Sequence, residues 1–182
     1  MSPSVGDLFI WKQKSFTFED ISLDIIGNPN EENKRKIEEY IKDDNSIKWY
    51  NVKDQAALGD ELRKKDIFIM PSFYEGLGLI AIESLACGLY VVATEIEALM
   101  TLLGEEIKKS GIIKYVPLPR IYDVDKQVEE DLPKFKEDLK EALLCQIEKV
   151  RQERNCHKAM EDEIKSFSWE GLIEHMNDFI SI

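Results

Sequence analysis

The sequence is poor in cysteine, in histidine and in positive charge. Its 182 residues include three cysteines and two histidines, and 24 Lys and Arg residues stand against 36 Asp and Glu residues, for a net charge of −12. Cys87, Cys145 and Cys156 lack the paired spacing of metal ligands, so they are typical of reduced thiols and we expect no metal site. The negative charge argues against a nucleic-acid partner and against an anionic membrane surface.

Long apolar runs are also absent. No run approaches the roughly 20 residues that a membrane-spanning helix needs, and the N-terminus lacks the basic and apolar regions of a signal peptide. We therefore expect a cytoplasmic protein without a transmembrane segment. The length suits a single domain, residues 1–182, that buries a sizeable core.

What the sequence does contain is a pattern of strand, turn, helix and strand within residues 66–94. Ile67–Met70 and residues 90–93 are short apolar runs, typical of buried parallel strands. Between them, apolar residues at helical spacing precede Gly88, which is a typical helix stop. Such a β-α-β unit places the turn after its first strand at the carboxyl edge of the sheet, where open α/β folds bind ligands.

That turn, residues 72–78, has the features of an anion site. Gly76 and Gly78 allow the backbone to approach a ligand closely, and the following helix offers unpaired N–H groups at its N-terminus. We expect a side chain at Gly78 to occupy the ligand's space. Glu75 in the turn and Glu83 in the helix add carboxylates, which accept hydrogen bonds from hydroxyls. The combination predicts a ligand that contains a sugar and a phosphate.

The stretch PSFYEGLGLIAIESLACGLYVVAT resembles the signature of the retaining glycosyltransferases of family 4, also called glycosyl transferases group 1. In that family a pair of glutamates separated by seven residues lies in the nucleotide-sugar-binding half of a GT-B fold, and Glu75 and Glu83 have this spacing. The resemblance implies that Glu75 is the catalytic residue at the donor sugar and that Glu83 binds the ribose hydroxyls. It also implies that the donor is held by the amides of Gly76, Leu77, Gly78 and Leu79.

Near the N-terminus, residues 5–11 resemble the family's first strand, and Lys12 is then a ligand of the donor's diphosphate. Asp7 stands where the family has an arginine, and a carboxylate there would weaken diphosphate binding. For Lys12 the alternative is an exposed surface lysine.

Strands and helices alternate through the first half of the chain. Leu23–Ile26 and Ile47–Tyr50 are predicted strands, and residues 31–42 and 54–65 are predicted helices. The alternation predicts an α/β fold, a Rossmann-like, doubly wound parallel sheet with helices on both faces. In related enzymes main-chain groups just after the second of these strands hold the base, which implies a nucleotide-binding role for Val52.

The pattern changes after the signature. Glu95 and Glu97 replace what is commonly a Gly-Gly turn, a change that would narrow the donor pocket or repel phosphate. A helix over residues 99–109 and a strand over residues 111–116 follow. Residues 123–182 are predicted as a long helical C-terminal segment, amphipathic over residues 123–165 and ending in a helix over residues 170–180 that Ser168 caps.

The resemblance implies the donor-binding half of a glycosyltransferase that transfers a hexosyl group from a nucleotide-diphosphate sugar to an acceptor hydroxyl, with no further cofactor and with the base unspecified. The alternatives are a catalytically degenerate, non-enzymatic binding or scaffold module, and a different sugar-nucleotide enzyme such as an epimerase. Enzymes of the GT-B fold also need an N-terminal acceptor-binding domain, which must come from the same or another chain. We therefore expect this domain fragment alone to be inactive.

Overall fold

A computed structural model of the chain describes residues 21–27, 29–42, 44–123, 126–153 and 160–167. The described residues belong to two compact units, which divide between Leu58 and Gly59. Both units contain parallel strands with helices beside them, so the predicted α/β class is confirmed. The organisation of residues 1–182 as one domain stays a prediction. The predicted first strand and Lys12 lie outside the described residues.

Within the described residues, the first unit contains two strands and one complete helix. Strand β1 (Leu23–Ile26) pairs in parallel with β2 (Ile47–Tyr50), from Leu23 opposite Ile47 to Ile26 opposite Tyr50. Helix α1 (Glu31–Ile41) connects them, and the side chain of Asn30 caps it by accepting a hydrogen bond from the Asn33 amide at 2.9 Å. Helix α2 (Gln55–Leu62) follows and is shorter at both ends than predicted.

The second unit contains a three-stranded parallel sheet in the order β3-β4-β5. Its elements are β3 (Ile67–Met70), α3 (Leu79–Ala86), β4 (Tyr90–Thr94), α4 (Glu97–Ser110) and β5 (Ile113–Val116). All five residues of the central strand β4 are buried. Because the three strands are parallel, their carboxyl ends lie at one edge of the sheet. The turn after β3 is at this edge, as the β-α-β pattern predicted.

The predicted helical segment over residues 123–182 is wrong at its start. Strands β6 (Ile121–Asp123) and β7 (Lys126–Gln127) form an antiparallel hairpin, and a 3₁₀ turn leads into α5 (Leu132–Gln152). Pro133 lies at the start of α5, a position where proline favours helix initiation. Helix α6 (Glu161–Lys165) follows, whereas Ser168 and the predicted last helix lie outside the described residues.

Helices cover both faces of the three-stranded sheet, because its side chains alternate between two clusters. One cluster joins α3, α4 and α6 to the face that carries Met70, Val91, Ala93 and Ile113. The other cluster joins α5 to the opposite face, which carries Ile67, Ile69, Val92 and Val116. Gln146 of α5 is fully buried and donates to the Val91 carbonyl at 3.0 Å. Among the helices of the described ranges, none has the length and apolar character needed to cross a membrane.

Candidate functional site

The turn between β3 and α3 ends in an unusual helix N-terminus. Gly78 is the N-cap residue of α3 and has φ 63° and ψ 39°, in the left-handed region. No side chain caps this helix end. The Ala81 N–H donates to the Gly78 carbonyl oxygen at 2.9 Å. The N–H groups of Leu79 and Ile80 have no side-chain acceptor from the cap, which leaves them available to an anion.

Both the backbone conformation of the turn and the packing of the core favour glycine at position 78. A Cβ atom at this position would lie 3.1 Å from Met70 Cε and 3.6 Å from Leu99 Cδ2. A side chain at Gly78 would therefore press on Met70 and Leu99 in the core, a cost that the sequence did not predict. That it would also occupy the ligand's space stays a prediction. Gly76 differs, because a Cβ atom there would meet nothing within 4 Å.

The predicted site residues of the β3–α3 connection lie in one continuous segment at the carboxyl edge of the sheet. Glu75 lies in the turn and Glu83 in the second turn of α3, and both side chains are half-buried. Leu77 and Leu79 are exposed to 48% and 57%, so the turn presents its surface to solvent. The start of α3 therefore lies at the surface, with Glu75 before it in the sequence and Glu83 after it.

Two contacts hold this turn in place, one at Ser72 and one at Phe73. The carbonyl oxygen of Ser72 accepts a hydrogen bond from Thr94 Oγ1 at the end of β4. Phe73 is buried and meets Phe135 of α5 edge to face, with ring centroids 5.2 Å apart. The turn is therefore fixed to both of its packed neighbours, β4 and α5.

Ser72 and Thr94 were missed as site residues by the sequence interpretation. Ser72 Oγ donates a hydrogen bond to Glu75 Oε1 at 2.8 Å, so it is the direct partner of a predicted site carboxylate. A signal was present, because both residues belong to the stretch that resembles the family signature. Only the folded structure shows that their side chains face the turn.

The remaining predicted residues belong to other parts of the sequence. Val52 belongs to the first unit, and its N–H donates to Asn51 Oδ1 at 2.9 Å. Glu95 and Glu97 are exposed on either side of the buried Ile96, which packs into the core between them. Their effect on a phosphate therefore stays a prediction.

A separate cleft of about 650 Å³ lies between β5, the residues that follow it and α5. Its lining includes Lys114, Arg120, Asp131, Phe135 and Cys145, and none of the residues predicted to bind the donor. The Arg120 guanidinium donates to both carboxylate oxygens of Asp131, at 2.8 and 2.9 Å, and the Arg120 amide adds a third hydrogen bond. These bonds lower the pKa of Asp131 to about 2.

Comparison with known proteins gives a family match over most of the chain. Residues 10–117 match the family described as Glycosyl transferases group 1. This segment includes the β3–α3 connection, Glu75 and Glu83. The match therefore covers the candidate site as well as the surrounding sheet.

Individual relatives match over part of their own length. D-inositol 3-phosphate glycosyltransferase 2 from Catenulispora acidiphila is 39% identical over 59 residues, which are 32% of this chain and 14% of the relative. Alpha-maltose-1-phosphate synthase from Mycobacterium tuberculosis is 25% identical over 146 residues, 78% of this chain and 34% of the relative. The aligned part of the chain therefore spans about a third or less of these curated relatives.

A solved structure shares the fold. Sucrose-phosphate synthase from Thermosynechococcus elongatus superimposes with a TM-score of 0.58 at 20% sequence identity. The similarity covers 88% of this chain and 38% of that one. It supports a Rossmann-like arrangement of the kind found in GT-B enzymes.

Proposed function

Because the chain belongs to the glycosyl transferases group 1 family, we propose that it is the nucleotide-sugar-binding domain of a retaining glycosyltransferase. The larger protein transfers a hexosyl group from a nucleotide-diphosphate sugar to an acceptor hydroxyl. The observation that carries this proposal is the uncapped N-terminus of α3 with Glu75 and Glu83 in the same segment.

Each part of this segment suits one part of a nucleotide sugar. The N–H groups at the start of α3, with the positive end of the helix dipole, favour the donor's diphosphate. The same groups would stabilise the charge that grows on the diphosphate as it leaves. Glu83 accepts hydrogen bonds from the ribose hydroxyls, and Glu75 lies at the donor sugar as the catalytic residue.

The acceptor-binding domain is proposed to come from another part of the same protein or from another chain. The matched segments make up 14% and 34% of the two curated relatives described above, so those proteins contain much that this chain does not. Transfer needs an acceptor hydroxyl held close to the anomeric carbon. We therefore propose that the chain by itself binds the donor without transferring the sugar.

Other features of the molecule are proposed from its composition. The net charge of −12 favours a small-molecule ligand over nucleic acid. The few cysteines fit a reducing, cytoplasmic location. Neither the diphosphate contacts nor the two carboxylate roles require a metal ion or a further cofactor.

A catalytically degenerate binding module is the second candidate, and two exposed carboxylates favour it. Glu95 follows β4 directly and Glu97 lies in the first turn of α4, near the edge where the donor would bind. Negative charges there would repel a diphosphate. The two candidates differ in donor affinity, because a degenerate module need not retain it.

Calorimetry tests the proposal. The 182-residue chain is titrated with UDP-glucose, GDP-mannose and ADP-glucose at low ionic strength, where charge interactions are least screened. We expect saturable binding of at least one sugar nucleotide. Heat of binding for none of them would contradict the donor-binding function and favour the degenerate module.

A further inference from the structure

A short series of hydrogen bonds links the core of the second unit to Glu75. Thr94 Oγ1 donates to the carbonyl oxygen of Ser72, and Ser72 Oγ donates to Glu75 Oε1 at 2.8 Å. Thr94 is fully buried and Ser72 is 7% exposed. Water therefore competes little for either hydroxyl, so each hydroxyl keeps its hydrogen bond to the protein acceptor.

The sheet determines where this series begins. Met70 at the end of β3 lies opposite Ala93 of β4, so Thr94 is placed beside the start of the turn. Thr94 belongs to a strand whose residues are all buried, which gives its hydroxyl a fixed position. The main chain at Ser72 is thus held by the core and not by the turn alone.

Glu75 depends on Ser72 for its orientation. Its side chain is half-buried, and within the part of the chain that the structure describes its carboxylate makes no other hydrogen bond or ion pair. A glutamate without such a partner samples several rotamers and must lose that freedom when a ligand binds. The Ser72 hydroxyl holds one carboxylate oxygen and leaves the other for a ligand.

We propose that Ser72 and Thr94 are positioning residues that orient the Glu75 carboxylate toward the donor sugar. The inference rests on the proposed function, in which Glu75 lies at the sugar and the diphosphate lies at the N-terminus of α3. Ser72 and Thr94 therefore act on affinity for the sugar part of the ligand and leave the nucleotide part unchanged.

The first test compares ligands with and without the sugar. Calorimetry measures the affinity of each variant for UDP-glucose, GDP-mannose and ADP-glucose and for UDP, GDP and ADP. For the sugar nucleotide that the parent binds, we expect Ser72→Ala to weaken binding about tenfold, while the matching nucleoside diphosphate changes less than about twofold. A merely structural role would weaken both ligands alike, and that result, or an unchanged sugar-nucleotide affinity, would overturn the proposal.

Thr94 supplies a matched pair of variants. Thr94→Val keeps the shape and removes the hydroxyl, so we expect the same selective loss as in Ser72→Ala. Thr94→Ser keeps the hydroxyl and should restore the parent's affinity for the sugar nucleotide. Equal behaviour of the two Thr94 variants would show that the hydroxyl has no positioning role.

A measurement without ligand shows, independently of donor binding, whether Ser72 orients the Glu75 side chain. NMR scalar couplings of the Glu75 side chain should report one χ1 rotamer in the parent chain and averaging over several in Ser72→Ala. Averaged couplings in the parent, or identical couplings in both proteins, would overturn the positioning role. If the parent binds none of the three sugar nucleotides, the proposed function fails, and these couplings still decide whether Ser72 orients Glu75.

Discussion

Glu83 is the residue whose proposed role can be tested most simply. If its carboxylate accepts hydrogen bonds from two ribose hydroxyls, Glu83→Ala should weaken nucleotide binding by roughly 2–4 kcal/mol, because two charge-assisted hydrogen bonds are lost. Glu83→Gln keeps the shape and one acceptor, so its affinity should lie between those of the parent and the alanine variant. Calorimetry with the nucleoside diphosphate that the parent binds measures both differences.

Glu106 provides the control for charge. It is an exposed glutamate of α4 that lies 3.7 Å from the Lys109 ammonium, and it is remote in sequence from the turn. Glu106→Gln removes the same charge as Glu83→Gln and should leave nucleotide affinity unchanged, since exposed charges are screened by salt. Parent-like affinity in both Glu83 variants would show that this carboxylate does not bind the ribose.

At the scale of the element, the β3–α3 connection has two glycines with different tasks. Gly78 has a left-handed conformation and faces Met70 and Leu99, so Gly78→Ala should lower the free energy of unfolding by roughly 1–2 kcal/mol. Gly76 faces open space, and Gly76→Ala should leave stability unchanged within about 0.5 kcal/mol. If a phosphate approaches the Gly76 backbone closely, the added methyl group should nevertheless weaken binding.

Urea denaturation and calorimetry on both variants separate the two tasks. A Gly78→Ala variant as stable as the parent would contradict the close packing against Met70. A Gly76→Ala variant that folds normally and binds a sugar nucleotide like the parent would move the phosphate away from this turn.

The same connection shows what the sequence could predict. Strand β4 is buried throughout and appears in the sequence as a continuous apolar run, and Gly88 follows the end of α3 as expected. Strand β3 is also a continuous apolar run, but only Met70 is buried and its other three residues are half-buried. The hairpin over residues 121–127 was not predicted, because its strands are only three and two residues long and the residues that flank it are joined by an ion pair between Arg120 and Asp131, which are 11 residues apart. A segment rich in Glu and Lys carries no local signal for that pairing.

In the candidate site, too, local features were predicted from the sequence and tertiary contacts were not. The positions of Glu75 and Glu83 on the turn and helix followed from the glycines and the apolar spacing. The contact of Phe73 with Phe135 and the hydrogen bond from Ser72 to Glu75 are tertiary, and spacing alone could not reveal them. The packing task of Gly78 was missed for the same reason, because Leu99 approaches it from α4.

At the scale of the whole molecule, the chain alone should bind a donor and transfer no sugar. One domain offers one wall of a cleft, so the donor's diphosphate remains in water, where its interaction with the helix N-terminus is screened. Product analysis of the purified chain with sugar nucleotides and simple acceptors should therefore show no turnover above spontaneous hydrolysis. Glycosyl transfer by the isolated chain, abolished in Glu75→Ala, would show that a second domain is dispensable.

Amide NMR spectra locate the donor site on the chain. A ¹⁵N-labelled chain is titrated with the sugar nucleotide that gives heat in calorimetry, and shifts are mapped onto the sequence. We predict the largest shifts at the amides of residues 76–80, at the N-terminus of α3. Shifts confined to the cleft that contains Lys114 and Phe135, with the amides of residues 76–80 unchanged, would show that the donor does not bind at the N-terminus of α3.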